Sequence, residues 1–385
     1  MDPRPPAVLQ VLPSLQSGGV ERGTVEMVAA LAEAGWRPLV ASAGGRMVGA
    51  VERAGGRHIA LPLKTKSPLA IWRNAALLRR VIAAEGVDLV HARSRGPAWS
   101  AWRAARRQGV PFVTTYHAAY NENFPAKRRY NAIMARGARV IAISDHIGAL
   151  VTARHGVGAE RLRVIPRGVD PALFDPTLVS AGRMARLLEA WRLPLDQAQD
   201  IVLLPGRLSR WKGQAVMLEA LARLRPEVVC VLLGDGSQRT VAELCRLAER
   251  LGVAARLRIP GHCEDMQAAY ALASVVVNAS LEPEGFGRTV IEAQAMARLV
   301  VASDHGGAAE TIRHGQSGWL VPPGDAEALA ATLEGLLALT PPERAAWGAQ
   351  ARDWVSARYT TAAMQQATLA VYAEVLAPQA QKTSR

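Results

Sequence analysis

The chain runs to 385 residues, 50% of them hydrophobic and 21% charged, a balance that builds a core and excludes a disordered chain. Only three cysteines occur, which excludes a disulfide scaffold, and at roughly 100–200 residues per domain the length implies two domains. The formal net charge is +13, unevenly placed: residues 1–170 carry 25 basic and 11 acidic side chains, and the remainder is close to neutral. A basic first half points to an anionic partner, whether nucleic acid, a phospholipid surface or a phosphorylated acceptor.

The N-terminus, MDPRPPAVLQ, has no apolar stretch of signal-peptide type. No apolar run approaches the ~20 residues that span a bilayer. Cys230, Cys245 and Cys263 form no CxxC and are expected to be reduced core residues. The expectation is a soluble, cytoplasmic protein that at most lies on the inner face of the cytoplasmic membrane.

Short β-type runs alternate with helical stretches. Strands are expected at 7–12, 38–42, 57–61, 88–92, 111–116 and 139–144, with helices at 24–35, 74–86 and 99–109 that each close on a glycine. The pattern restarts after IPRGVDPALFDP (165–176), whose three prolines mark a boundary. Strands follow at 200–206, 228–236, 256–261, 274–280, 298–303 and 318–322, with helices at 214–224, 241–252 and 289–297. Residues 341–377 read as wholly helical. Apolar strands alternating with helices predict α/β architecture with two doubly wound parallel sheets, covered on both faces. Ligands of such sheets bind beyond the carboxyl ends of the strands, and the cleft between two such domains is the expected site.

Four segments carry candidate chemistry. Gly18 and Gly19 sit between the first strand and first helix, where backbone N–H groups can approach a phosphate or sugar; an ordinary flexible turn is the alternative. GRLSRWKGQ (206–214) puts Arg207 and Lys212 just after a strand, as two cations that would neutralise a diphosphate; a solvated basic loop is the alternative. In EPEGFGRTVIEA (282–293), Glu284 and Glu292 bracket seven residues. The amides of Phe286, Gly287, Arg288 and Thr289 would point at a phosphate, and the two carboxylates would accept hydrogen bonds from vicinal hydroxyls. Paired glutamates also suit a hydrolase, and surface acids beside a glycine turn are the bland reading. His117, in VTTYHA, follows a strand of the first half; a structural histidine is the alternative. Glycine turns at 232–238 and 261–265, Asp145 and the stretch 165–170 lie near strand ends as supporting features. No motif with metal-ligand spacing is present, so no metal is expected.

In order along the chain, GGVER, TYH, GRLSRWKG and the E-x7-E segment EGFGRTVIEA resemble the family 4 glycosyltransferases, over about residues 7–375. The resemblance implies the GT-B architecture, two facing Rossmann-like domains. It implies an acceptor-binding domain over 1–170, a nucleotide-sugar domain over 171–345, and a C-terminal helix, 346–385, packing back on the first. It also implies retaining transfer from a UDP- or GDP-linked sugar to a hydroxyl of a glycan or lipid-linked acceptor, of the lipopolysaccharide or cell-surface type, with no cofactor besides the nucleotide-sugar substrate. Carried over, Glu284 holds donor-sugar hydroxyls, Glu292 the ribose, and Arg207 and Lys212 the diphosphate. His117 contacts the donor sugar, Gly19 approaches its phosphate, and Gly234 and His262 line the base pocket.

The basic half then has a reading as an acceptor or membrane surface: Arg103, Arg106 and Arg107 share a stretch with Trp99 and Trp102, and Lys127, Arg128 and Arg129 follow Phe124-Pro125. A compositional arginine bias is the alternative. Two other classes compete with the transferase: a basic binding module without catalysis, and an inverting or epimerase-like enzyme of the same fold. With aromatics at 5% and no RNP-like motif, no nucleic-acid partner is expected.

Overall fold

A computed structural model describes residues 4–16, 18–194 and 199–377. The chain divides into two compact units. The first holds the chain up to Arg167 together with the helix Thr361–Leu376, and the second holds Gly168–Thr360.

The first unit is a seven-stranded sheet of β1 (Ala7–Val11), β2 (Arg37–Ser42), β3 (Arg57–Ala60), β4 (Leu89–Ala92), β5 (Phe112–Tyr116), β6 (Arg139–Ala142) and β7 (Leu162–Val164). Every pairing is parallel, in the order β3-β2-β1-β4-β5-β6-β7. Val8 pairs with Pro38 on one side and Leu89 on the other, so the strand order reverses between β1 and β4. Parallel strands need crossover helices, and these bury both faces of the sheet. Val8, Leu89, Val113 and Ile141 pack with Met27 and Leu31 of the helix Gly19–Glu33, and with Met364, Val371 and Tyr372 of the terminal helix. Leu12, Val28, Val40 and Val51 form a second cluster.

The second unit is a six-stranded parallel sheet of β8 (Asp200–Pro205), β9 (Val228–Leu233), β10 (Leu257–Gly261), β11 (Val275–Asn278), β12 (Leu299–Ser303) and β13 (Trp319–Val321). Its order, β10-β9-β8-β11-β12-β13, reverses between β8 and β11. Val202, Leu204, Val275, Val277 and Val301 meet Met217, Leu221, Leu333 and Leu337 of the covering helices in one core.

All twelve expected strands are present; β7 was not expected. The stretch 341–377 is two helices, Pro341–Arg358 and Thr361–Leu376, which corrects the single helix expected there. Tyr359 leaves helical geometry (φ −119, ψ 51), and Val169 N–H donates to its carbonyl at 2.9 Å. A tertiary partner interrupts the helix where no glycine or proline signals a stop. Among the cysteines, Cys230 is buried, which pushes its thiol up to about 12. Cys245 is exposed and Cys263 half-buried, so the expectation of three core cysteines holds only for the first.

Candidate active site

In the second unit the crevice of an open sheet opens where strand order reverses, beyond β8 and β11. The two segments with the strongest sequence signals are the loops that leave those strands. Lys212 lies in a short turn after β8, and Glu284 lies between β11 and the helix Arg288–Ala295. The structure brings them together: Lys212 Nζ donates to Glu284 Oε1 at 2.7 Å. Both side chains are nearly withdrawn from water, 13% and 11% exposed.

Two residues not anticipated complete the pair. Asn278 Nδ2 donates to the same Oε1 at 2.8 Å and Ser280 Oγ at 2.5 Å. Burial opposes charge on this carboxylate, but Lys212 and the two neutral donors outweigh it and hold the group below the ordinary glutamate range. All three bonds fall on Oε1; Oε2 has no hydrogen-bond partner among the described residues, and remains an acceptor for a ligand hydroxyl. The signal that could have found Asn278 and Ser280 is polar residues at the carboxyl end of the otherwise apolar run SVVVNAS.

The loop backbones are tightly fixed. Leu281 N–H donates to the Trp211 carbonyl at 2.7 Å, and Leu208 N–H to the Asp235 carbonyl at 2.8 Å. Gly213 has φ 72, and a Cβ there would overlap the Ala279 carbonyl oxygen; only glycine serves both requirements. Gly307 N–H bonds the Glu284 carbonyl at 2.8 Å.

Other predicted donor residues are placed as follows. Arg207 is exposed, without a side-chain partner among the described residues. Gly287 caps the helix Arg288–Ala295 with φ 86, so the amides of Arg288 and Thr289 fall in its first turn, where intrahelical acceptors are lacking. Phe286 turns its ring inward against Tyr359. Glu292 is 4% exposed; its Oε2 accepts from Tyr270 Oη at 2.9 Å and its Oε1 lies 3.6 Å from Arg288 Nε. Gly234 packs against the Gly206 carbonyl, and His262 is exposed.

In the first unit, Gly18 (φ 139) precedes the helix that begins at Gly19. His117 follows β5. Its Nδ1 lies 2.6 Å from Nη2 of Arg167, a residue only 6% exposed. Nearby, His91 bridges Tyr372 Oη (2.6 Å) and Thr115 Oγ1 (2.7 Å), and buried Arg93 donates to Gln10 at 2.6 Å. Burial, and then the guanidinium charges, push both imidazoles well below their ordinary value, so both are neutral.

A cavity of about 880 Å³ in this unit is lined by Lys64, Lys66, Ser94, Arg95, Lys127 and Tyr130, with no carboxylate among its lining residues. Of the predicted acceptor cations only Lys127 reaches it. Arg103 and Arg107 lie over the Trp72 ring (5.4 and 5.8 Å), and Arg106 over Trp102 (5.6 Å). Arg128 donates to the Arg154 carbonyl at 2.6 Å, and Arg129 is exposed. Among the described residues no three His, Cys, Asp or Glu groups gather at a metal-binding distance, and no helix is long and apolar enough to cross a membrane.

This arrangement has relatives. Residues 17–173 match Glycosyltransferase Family 4, and residues 187–354 match Glycosyl transferases group 1. A glycosyltransferase structure from Rickettsia africae is 33% identical with TM-score 0.88, over 97% of this chain and 99% of that one. Anabaena HepE, solved with UDP and glucose, is 26% identical with TM-score 0.83, over 95% and 99%. The D-inositol 3-phosphate glycosyltransferase of Xylanimonas cellulosilytica is 33% identical over 65% of this chain and 64% of its own length. The chain spans less than two thirds of the length of the inositol-phosphate relatives it matches. Two Rossmann-like parallel sheets, the motifs at the carboxyl ends of β8 and β11, and these matches across both units agree: the chain belongs to the family 4 glycosyltransferases, of GT-B architecture.

Proposed function

We propose that the protein transfers a sugar from a nucleoside-diphosphate sugar to an anionic acceptor, retaining the anomeric configuration. The observation that carries this reading is the buried Lys212–Glu284 pair beside the first turn of the helix Arg288–Ala295. Lys212 has three N–H donors and gives one to Glu284; the others, with Arg207 and the first-turn amides, answer the charge of a diphosphate. Glu284 Oε2 accepts from the donor sugar's hydroxyls. As the C1–O bond breaks, its electron pair goes to the phosphate oxygen, whose growing charge these cations stabilise. The acceptor oxygen forms its bond to C1 on the same face and gives its proton to the departing phosphate.

HepE, solved with UDP and glucose, supports a UDP-sugar donor. The D-inositol 3-phosphate relatives support a phosphorylated acceptor, and the cavity of Lys64, Lys66, Arg95 and Lys127 has the charge to hold one. The exposed Leu69, Trp72 and Phe124 among arginines support contact with an anionic lipid surface.

The test is release of nucleoside diphosphate from a panel of UDP- and GDP-sugars, in EDTA, with sugar and inositol phosphates as acceptors. Release is expected with one donor. It should fall at least tenfold in Lys212→Ala, with product of the donor's anomeric form by NMR. Unchanged release in that variant would refute the assignment.

A further inference from the structure

We propose that Arg167 is a positioning residue: it fixes His117 as the tautomer that carries its proton on Nε2, making His117 a hydrogen-bond donor and excluding it as a base. The functional half of this inference rests on the transferase reading above; the tautomer does not.

Arginine has five N–H donors and no acceptor, and keeps its charge in proteins. An Arg167 Nη2 at 2.6 Å from His117 Nδ1 therefore leaves Nδ1 one role, that of acceptor. A neutral imidazole has one proton, and it must sit on Nε2. The same Nη2 lies 3.4 Å from Nε2, too far to compete with the shorter bond.

Arg167 is itself held. Its Nη1 donates to Met364 Sδ at 3.4 Å. It packs over Gly23, where an added Cβ would come within 3.1 Å of Nη1. Arg93 and His91 act on the ring in the same direction, and the carboxylate in this cluster, Glu26, acts on Arg93. Arg93 is 2% exposed and cationic, and His91 is fully buried and neutral between Tyr372 and Thr115. A second proton on His117 would meet two guanidiniums and no carboxylate that acts on the ring.

The consequence is chemical. A histidine with a free lone pair could take the acceptor's proton, as a base for inverting attack from the opposite face. With its lone pair spent on Arg167, His117 can only give an N–H to a sugar oxygen, and must do so over the whole neutral range. The proton of the acceptor hydroxyl then has to leave with the phosphate, which fits retention.

The experiment is ¹⁵N–¹H long-range correlation of the histidine rings in the full chain, with His117→Gln identifying the signal. His117 is expected to show Nε2 protonated and Nδ1 bare from pH 5 to 8, without titrating. In Arg167→Met, checked for folding by circular dichroism, the proton should no longer be confined to Nε2, and the ring should titrate at a higher pH than in the unaltered chain, still below its ordinary value because burial and Arg93 remain. An acid limb should then appear in kcat/KM, and Arg167→Lys should remove part of it. A proton on Nδ1, or an ordinary titration in the unaltered chain, would overturn the proposal. If the tautomer is as stated but His117→Gln transfers sugar at the unaltered rate, the proposal fails in its functional half while the tautomer lock stands.

Discussion

Replacing Glu284 with glutamine tests the centre of the site because it keeps shape and removes charge. Lys212 and Glu284 are 13% and 11% exposed, so the pair is buried enough that removing one partner strands the other. Such stranding costs about 3–5 kcal/mol. The glutamine oxygen still accepts from Asn278 and Ser280, which puts Glu284→Gln near the lower end, about 3 kcal/mol. At 2–4 °C per kcal/mol for a unit of this size, the unfolding midpoint should drop roughly 6–12 °C. Activity should suffer separately. Glutamine places an amide where Oε2 would accept a sugar hydroxyl, and losing one charge-assisted bond of about 1.5–3 kcal/mol lowers kcat/KM about 10- to 150-fold. Scanning calorimetry reads the first effect and nucleoside diphosphate release the second. The double variant with Lys212→Met removes both charges and should regain most of the midpoint but none of the activity. The carboxyl is depressed in the folded protein, so its contribution is complete at neutral pH and is lost as pH falls below the ordinary glutamate range. The midpoint gap between the two proteins should therefore close below about pH 4. A Glu284→Gln protein that melts like the unaltered chain, or a double variant no more stable than the singles, would show that the pair is not coupled and refute the reasoning.

Acid sensitivity should also appear nearer neutrality. His91 is buried and His117 half-buried, both neutral with lowered values, so below about 6.5 the unfolded chain binds more protons than the folded one. Stability should fall by up to about 1.4 kcal/mol per pH unit for each as pH drops from 6.5 to 5. His91→Gln should flatten that slope in denaturant titrations; an unchanged slope would contradict the placement. At the surface, Leu69 is 63% and Trp72 55% exposed. The variant Leu69→Ser with Trp72→Ser should sediment less with phosphatidylglycerol vesicles than the unaltered chain, and equal sedimentation would end the membrane reading.

Much of this was legible because the local code and the fold agree. DIVLLPG and SVVVNAS announce strands by their apolar runs, and the chemistry sits directly after them because parallel sheets expose their carboxyl ends to ligands. β7 was missed because Leu162–Val164 is three residues long, at a sheet edge, and none of them is fully buried. The break at Tyr359 was missed because it is made by a bond from Val169, far away in sequence. Glu284 was found from its motif, whereas Asn278 and Ser280 matter only through where β11 ends. The same is true of Arg167: the segment IPRGVD was noted, but nothing in one dimension pairs it with a histidine fifty residues earlier.

The helix Thr361–Leu376 returns to the first unit after the whole second unit has been spelled out. Tyr372, which is fully buried and bonded to His91, therefore reaches its place only after the second unit has been made. During synthesis the earlier-made sheet must wait, one face only partly covered by the helix Gly19–Glu33, while the later-made unit can close upon itself at once. Order of manufacture and order of completion are thus inverted in this chain, and the waiting face is the surface for which a chaperone would compete.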